Sequence, residues 1–186
     1  MKRAFDIFLG ILILPLIAIL SILIYIFIKF SSDGSPIYWS DRIGKDNVLF
    51  SMPKFRTMYL ETPEVASDKL KNPEKFITPI GVFLRRYSLD ELPQLYSVLC
   101  GDMSFVGPRP ALHNQEKLIS DRTKNGISAL KPGITGWAQI NGRDEISDKD
   151  KTDLDIFYKN NQSIFFDLKI ILRTMKKVLK RENITH

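Results

Sequence analysis

The most apolar stretch of the chain lies near its start: positions 7–28 hold no charged residue and are nearly all hydrophobic. As a helix this stretch would be about 33 Å long, which is enough to cross the hydrocarbon core of a bilayer. Pro15 lies inside it. Because proline lacks an N–H group and its ring clashes with the preceding turn, we predict a helix that is broken near this residue.

The charges that flank the apolar stretch bear on its path through a membrane. Lys2 and Arg3 precede it, and Lys29 follows it. Since cationic flanks prefer the cytoplasmic side, positive residues at both ends favour a re-entrant helix, which enters and leaves on the same face. A spanning helix is the alternative. We predict a re-entrant membrane helix at residues 1–30 and a compact cytoplasmic domain at residues 31–186.

The pattern of the remaining residues predicts a fold that is mainly α, of the α+β class, with a small β-hairpin. Extended segments at 36–38 and 48–52 flank a polar turn and predict the hairpin. Residues 163–180 have apolar positions at helical spacing with lysines and arginines between them, which is typical of an interfacial amphipathic helix. The same apolar face could instead pack into the core. Glycine-containing segments at 101–109 and 131–143 predict loops.

A helix is predicted from about residue 92 to 99, where apolar positions recur at helical spacing. Pro93 has to lie in its first turn, which places Asp90 and Glu91 at the N-terminus of the helix. Ser88 and Glu91 have the spacing of a capping box. Acids in a first turn stabilise a helix by about 0.3–1 kcal/mol each, so capping alone is one explanation of the pair.

Catalysis is the other explanation of the acid pair. An ionised, positioned aspartate can attack phosphorus, and two neighbouring carboxylates can hold Mg²⁺ together with substrate phosphates. Asp90 and Glu91 are therefore candidate catalytic residues and candidate Mg²⁺ ligands. Arginines pair bidentately with phosphate, although a solvated face or a surface ion pair also explains them. The candidate phosphate- or substrate-binding residues are Arg85, Arg86, Arg109 and Arg143.

The chain is basic, with 27 Lys+Arg, 21 Asp+Glu and a formal net charge of +6. Such a balance is compatible with nucleic acid, anionic lipid headgroups or phosphorylated substrates. A membrane-anchored basic module that binds anionic lipid or nucleic acid without catalysis would explain the charge. It would not explain an acid pair among arginines, because carboxylates repel phosphates unless a metal intervenes. We therefore predict no nucleic-acid partner.

Six sequence segments accompany the apolar stretch with Pro15. They are KRAFD at 2–6, DRIGK at 41–45, KFRTM at 54–58, TPIGVFLRRYSLDELPQLYSVLCGDMSFVGPRP at 78–110, KPGITGWAQINGR at 131–143 and DLKI at 167–170. In their number, order and spacing these segments resemble the monotopic phosphoglycosyl transferases, which form the bacterial sugar transferase family. The likeness is closest to the small members that initiate glycan assembly for bacterial N-glycoproteins.

The resemblance implies an enzyme that transfers a phosphosugar from a UDP-sugar to polyprenol (undecaprenyl) phosphate and releases UMP. It implies Asp90 as the nucleophile that forms a covalent aspartyl-phosphosugar intermediate, and Glu91 as its partner in Mg²⁺ binding and catalysis. Arg85 and Arg109 match phosphate-binding arginines. It also implies monotopic attachment to the inner membrane of a bacterium, with the domain facing the cytoplasm.

For the anchor, the resemblance implies a re-entrant helix that is broken at Pro15. Lys2, Arg3 and Asp6 would lie at the membrane interface and help to fix the anchor there. The expected partners are the UDP-sugar, polyprenol phosphate and membrane lipids. The identity of the sugar and the oligomeric state stay open at this stage.

Overall fold

The computed structural model describes residues 1–62, 73–142 and 146–180. Helices and short strands alternate through these ranges, and a 3-10 helix (Leu89–Gln94) directly precedes α3. Their bounds are α1 (Lys2–Ser31), β1 (Ile37–Ile43), β2 (Leu49–Phe55), α2 (Pro79–Arg86), α3 (Leu95–Cys100), β3 (Ser104–Val106), β4 (Ala111–Leu112), α4 (Glu116–Lys124), β5 (Gly133–Thr135), α5 (Trp137–Asn141), α6 (Asp148–Asn160) and α7 (Ile164–Lys180).

The predicted hairpin is present and longer than the sequence indicated. β1 and β2 pair antiparallel from Ile37 opposite Phe55 to Ile43 opposite Leu49. The short strand β4 pairs with the other edge of β1, and the mainly helical α+β class is confirmed. The hairpin matters for the site because β2 packs against the 3-10 helix that carries the acid pair.

Two segments that we predicted as loops instead contain β3 and β5, which pair in parallel. Glycine makes this pairing possible. A Cβ on Gly107 would lie 2.3 Å from the carbonyl oxygen of Lys131, and one on Gly133 would lie 2.1 Å from the nitrogen of Gly107. Any side chain there would force the two backbones apart. The prediction was wrong because it took these glycines as signs of a loop, whereas they allow two strands to approach closely.

Helix α1 lies against the domain near both of its ends. Gly10 approaches α3 so closely that a Cβ on it would lie 2.9 Å from Cδ2 of Leu99. Toward the other end, Ile28 is fully buried in a cluster with Phe55 and Leu84. The most apolar window of α1 has a mean hydropathy of 3.1 and is only 11% buried. By length and composition, α1 is therefore capable of crossing a membrane.

The helix assignment continues through Pro15, so the predicted break is not a gap between two helices, and a re-entrant path would require a bend at this proline. A proline removes one backbone hydrogen bond, and the apolar turns on either side keep theirs, so the helix persists. The re-entrant path concerns a bilayer and stays a prediction. The contacts of both ends of α1 with one domain support it, because a spanning helix would carry its ends to opposite faces of the membrane.

Asp6 is buried inside the protein with 2% of its surface exposed, and its expected position at the membrane interface stays a prediction. Its Oδ1 accepts hydrogen bonds from the Ser104 hydroxyl at 3.0 Å and from the Phe105 N–H at 3.2 Å. A buried carboxylate needs such donors, and β3 supplies them. Asp6 therefore fastens α1 to the strand that leads to Arg109.

Lys2 and Arg3 also bind the domain. The Lys2 ammonium lies 2.6 Å from a carboxylate oxygen of Asp167 in α7, and Tyr158 of α6 donates to the same carboxylate at 2.7 Å. The Arg3 guanidinium donates to the carbonyl of Leu99 at 2.7 Å. These contacts hold the first turn of α1 on the protein, and the position of Lys2 and Arg3 at a membrane interface stays a prediction.

The amphipathic helix predicted at the C-terminal end is confirmed as α7, and both of its proposed roles have support. Its inner side is core, because Ile170 is fully buried. Its outer side is apolar as well, with Phe165 at 86% and Leu179 at 79% exposure. An exposed apolar face on a basic helix is typical of a helix that lies on a membrane surface.

Candidate active site

A left-handed turn leads into the acid pair. After α2 ends at Arg86, Ser88 adopts φ 53 and ψ 26, a backbone conformation that costs about 1–2 kcal/mol in a residue with a side chain. The 3-10 helix starts directly after it and carries Asp90 and Glu91 in its first turn. Backbone strain of this kind is concentrated at functional sites.

The capping box predicted between Ser88 and Glu91 is wrong. An N-cap residue requires an extended backbone, and the left-handed Ser88 forms no capping hydrogen bond through its side chain. The Glu91 carboxylate lies between two cations instead. Its Oε1 is 2.9 Å from the Lys54 ammonium and 3.5 Å from Nη1 of Arg109. Helix capping therefore does not account for Glu91.

Lys54 is a site residue that the sequence reasoning did not single out. It lies on β2, which packs against the 3-10 helix, and this packing brings the Lys54 side chain to Glu91. Both side chains are only 17% exposed, whereas that of Arg109 is 41% exposed. The available signal was the segment KFRTM, in which Lys54 is the first residue. The half-exposed Arg109 is the cation of this group that a ligand reaches most readily.

Asp90 has an unusual ionisation equilibrium. Burial raises the pKa of its carboxyl to about 6, and the neighbouring Glu91 carboxylate adds to the rise. The cations Lys54 and Arg85 act in the opposite direction. Burial is the largest of these influences. Asp90 is still mostly ionised at neutral pH, and it is a less stabilised, more basic carboxylate than an exposed one.

The arginines predicted for phosphate binding differ in their placement. Arg85 is half-buried, donates through Nε to the Thr57 hydroxyl at 2.9 Å and interacts electrostatically with Asp90. Burial lowers the pKa of its guanidinium, which nevertheless stays charged at neutral pH. Arg86 is exposed, and no contact with the acid pair is seen for it in the described part of the chain. Arg143 lies outside the described residues.

The loop that carries Arg109 is fixed through its backbone. The Pro108 carbonyl accepts from the N–H of Gly133 at 2.9 Å, and the Arg109 carbonyl accepts from Nη1 of Arg122 at 2.8 Å. Arg122 in turn forms an ion pair with Asp155, with Nη2 to Oδ2 at 2.7 Å. Both partners are buried. A rigid loop leaves the Arg109 side chain as the part that adapts to a ligand.

The Arg122–Asp155 pair was missed from the sequence. The two residues are 33 positions apart on α4 and α6, and the sequence analysis did not predict α6. Burial raises the pKa of the Asp155 carboxyl, and the Arg122 guanidinium opposes that rise. No sequence segment marked either residue, because an ion pair between two helices leaves no local pattern.

A cavity of about 210 Å³ is lined by Glu91 of the acid pair, and its neighbour Asp90 is not one of the lining residues. Glu91 and Arg109 line one part of it, and apolar residues line much of the rest, including Ile17 of α1 and Val178 of α7. The site therefore joins charged groups that suit a phosphate to an apolar wall that belongs to the candidate membrane helix.

The acid pair fits a hydrated divalent cation. The described residues contain no group of three or more His, Cys, Asp and Glu side chains that could enclose a metal. Mg²⁺ does not need such a cage, since it keeps several waters and binds through one or two carboxylates plus substrate phosphates. The effect of Glu91 on the pKa of Asp90 shows that the two carboxylates repel each other, and a cation between them would relieve that repulsion.

Fold and site together combine a membrane-type helix with an acid pair that is flanked by cations. The chain belongs to the bacterial sugar transferase family, whose model matches residues 1–181, and this confirms the resemblance seen in the motifs. Among its relatives, the Undecaprenyl-phosphate galactose phosphotransferase of Salmonella typhimurium is 38% identical over 98% of this chain and 41% of its own length.

Two further relatives differ in how much of their length is matched. The Uncharacterized sugar transferase EpsL of Bacillus subtilis is 42% identical over 99% of this chain and 90% of its own length. The UDP-glucose:undecaprenyl-phosphate glucose-1-phosphate transferase of Escherichia coli is 42% identical over 95% of this chain and 40% of its own length. The chain thus spans about two fifths of the Salmonella and Escherichia proteins.

Proposed function

We propose that this protein transfers a phosphosugar from a UDP-sugar to undecaprenyl phosphate, releases UMP and acts through an aspartyl-phosphosugar intermediate. The observation that carries the proposal is the position of Asp90. It is a partly buried, basic carboxylate next to Arg85 and to the Glu91–Lys54–Arg109 group. The names of the relatives support the same general reaction.

In the first step a carboxylate oxygen of Asp90 attacks the β-phosphorus of the UDP-sugar. The bond from that phosphorus to the bridging oxygen breaks, and UMP leaves with the electron pair. Because UMP is a stable phosphate, no strong general acid is needed. Arg85 and Arg109 offset the charge that builds up on the phosphate oxygens.

In the second step a phosphate oxygen of undecaprenyl phosphate attacks the phosphorus held on Asp90. The Asp90 carboxylate is the leaving group and returns to its starting state. The product is an undecaprenyl diphosphosugar. Both steps need the same phosphate-binding residues, so one site suffices for the exchange.

Asp90 and Glu91 would hold Mg²⁺ in this proposal. The cation would supply electrostatic stabilisation to the phosphate oxygens during transfer. Lys54, 2.9 Å from Glu91, fixes the position of that carboxylate. A further part of the proposal is location: the protein attaches to the inner membrane of a bacterium with its domain in the cytoplasm, which is where nucleotide sugars occur.

The test of the proposed function is UMP release by the full chain in nanodiscs. With a panel of UDP-sugars, undecaprenyl phosphate and Mg²⁺, we expect UMP from at least one donor, no UMP after chelation of the metal, and recovery when Mg²⁺ is added back. The competing idea is a basic lipid-binding module without catalysis. Binding to anionic vesicles with no UMP from any donor would establish that module instead.

The rate of UMP release should depend on the ionisation of Asp90. Only the carboxylate attacks, and without a bound metal its pKa lies at about 6, so at sub-saturating Mg²⁺ kcat/KM for the UDP-sugar should rise about tenfold between about pH 5 and 7 and then level off. Glu91→Gln should move the midpoint to lower pH, since Glu91 raises the pKa of Asp90. Saturating Mg²⁺ should also move the midpoint to lower pH, because a bound cation favours the carboxylate. A pH profile that is flat across this range at sub-saturating Mg²⁺ would contradict the assignment.

A further inference from the structure

The wall of the cavity contains a cation that the proposed reaction has not yet used. Lys177 of α7 lines the cavity together with Glu91 and Arg109. Among the described lining residues, the charged groups are thus two cations and one carboxylate. Lys54 also lies 2.9 Å from Glu91, so the charge of that carboxylate is already offset. The cavity is suited to an anion.

The position of Lys177 is fixed by α7. Thr174, one helical turn before it, contacts Thr135 of β5 through their hydroxyl oxygens at 2.6 Å. Thr135 also accepts, through its carbonyl, from the N–H of Gly107 at 2.9 Å, two residues before Arg109. A continuous series of backbone and hydroxyl contacts therefore holds Lys177 and Arg109 in one rigid frame.

The apolar part of the cavity indicates which anion belongs there. Its wall includes Ile17 of α1 and Val178 of α7, and both helices carry exposed apolar side chains on their outer sides. A nucleotide offers such a wall only the face of its base, since its ribose and phosphates are polar. A lipid phosphate matches the wall, because its charged end and its hydrocarbon chain meet at one atom. The volume of about 210 Å³ is below the usual range of drug-sized ligand sites, so only the phosphate and the first isoprene units would enter, and the rest of the hydrocarbon chain would stay outside.

We propose that Lys177 binds the phosphate of the polyprenyl phosphate acceptor, while the first isoprene units lie against Ile17 and Val178. The proposal rests on the function proposed above and adds the acceptor subsite to it. It divides the site in two, with the acceptor arriving between α1 and α7 and the UDP-sugar reaching Asp90 from the side of Arg85. An ammonium serves here as a point charge for a terminal phosphate.

The test compares Lys177→Met with Lys176→Met, its neighbour on α7, which is exposed and does not line the cavity. Both changes remove one positive charge. Binding of a short-chain polyprenyl phosphate to the full chain in nanodiscs is measured without any UDP-sugar. We expect its Kd to rise about tenfold in Lys177→Met, as for loss of one charge-assisted hydrogen bond, and to stay within about twofold in Lys176→Met.

Further measurements test whether Lys177 recognises the phosphate of the lipid rather than its hydrocarbon chain or free phosphate. Uncharged polyprenol should bind both variants alike, Lys177→Arg should recover most of the affinity, and inorganic phosphate should bind more weakly than the lipid phosphate. In turnover, Lys177→Met should raise the KM for polyprenyl phosphate and not that for the UDP-sugar. Equal affinities of the two methionine variants, or an equal rise in both KM values, would overturn the proposal. Because binding is measured without turnover, a wild-type protein that binds the lipid phosphate but releases no UMP would contradict only the proposed function.

Discussion

Asp90→Asn should lower the rate of UMP release from a UDP-sugar by at least about a thousandfold, as removal of a catalytic nucleophile does in other enzymes. Asparagine keeps the shape of the side chain but lacks the electron-rich oxygen that attacks phosphorus. The measurement is a single-turnover assay with the full chain in nanodiscs and saturating UDP-sugar. Wild-type protein should also retain radiolabelled sugar phosphate after denaturation, and the variant should retain none.

The same substitution should leave the protein folded and make it more stable at neutral pH. The pKa of Asp90 rises from 3.8 to about 6 on folding, so the native state loses stability as pH increases through that interval. Asparagine carries no such cost, and at about pH 7 the variant should gain on the order of 1–3 kcal/mol. Asp102→Asn, at an exposed position, is the matched control and should change neither property. Undiminished UMP release from Asp90→Asn would exclude the nucleophile.

Arg122→Met should lower the free energy of unfolding by about 3–5 kcal/mol, because it leaves the Asp155 carboxylate buried without its charge partner. Asp155 is 1% exposed and lies 2.7 Å from the Arg122 guanidinium. Loss of this guanidinium also removes the hydrogen bond to the Arg109 carbonyl. Denaturant unfolding in nanodiscs measures the first effect, and kcat/KM for the UDP-sugar under native conditions reports the second.

A second variant separates lost charge from lost packing. Arg122→Met combined with Asp155→Leu removes both charges and should recover much of the stability, since replacing a whole buried ion pair by apolar groups is often neutral. It should not recover activity, because the Arg109 carbonyl still lacks its donor. Lys124→Met on the exposed part of α4 is the control and should change neither the free energy of unfolding nor kcat/KM for the UDP-sugar. Stability unchanged in Arg122→Met would show that the ion pair contributes little.

The elements that the sequence predicted well are those with strong local patterns. α7 begins and ends within one residue of the predicted range, and the hairpin follows from two extended segments around a polar turn. The short strands β3 and β5 escaped prediction because three residues carry no usable periodicity. Their pairing depends on Gly107 and Gly133, whose effect is visible only when the two backbones are brought together.

The candidate site shows the same division between features with a local sequence pattern and features that depend on distant parts of the chain. The segment around Asp90 and Glu91 is local, so its residue types were sufficient to mark it as a candidate, and the family resemblance then favoured catalysis over capping. The partners that give these acids their properties come from distant parts of the chain: Lys54 from β2, and Arg122 through the loop of Arg109. The pKa of Asp90 likewise depends on burial, which sequence spacing does not report.

The contacts of α1 limit how a water-soluble version of this protein could be made. Deleting the helix would uncover the apolar strip formed by Leu84 and its neighbours, and it would leave the buried Asp167 carboxylate without the Lys2 ammonium. The Ser104 hydroxyl would lose its carboxylate acceptor as well. Truncation would therefore yield an aggregation-prone fragment. A soluble catalyst would require polar replacements on the lipid-facing side of α1, with its inner side retained.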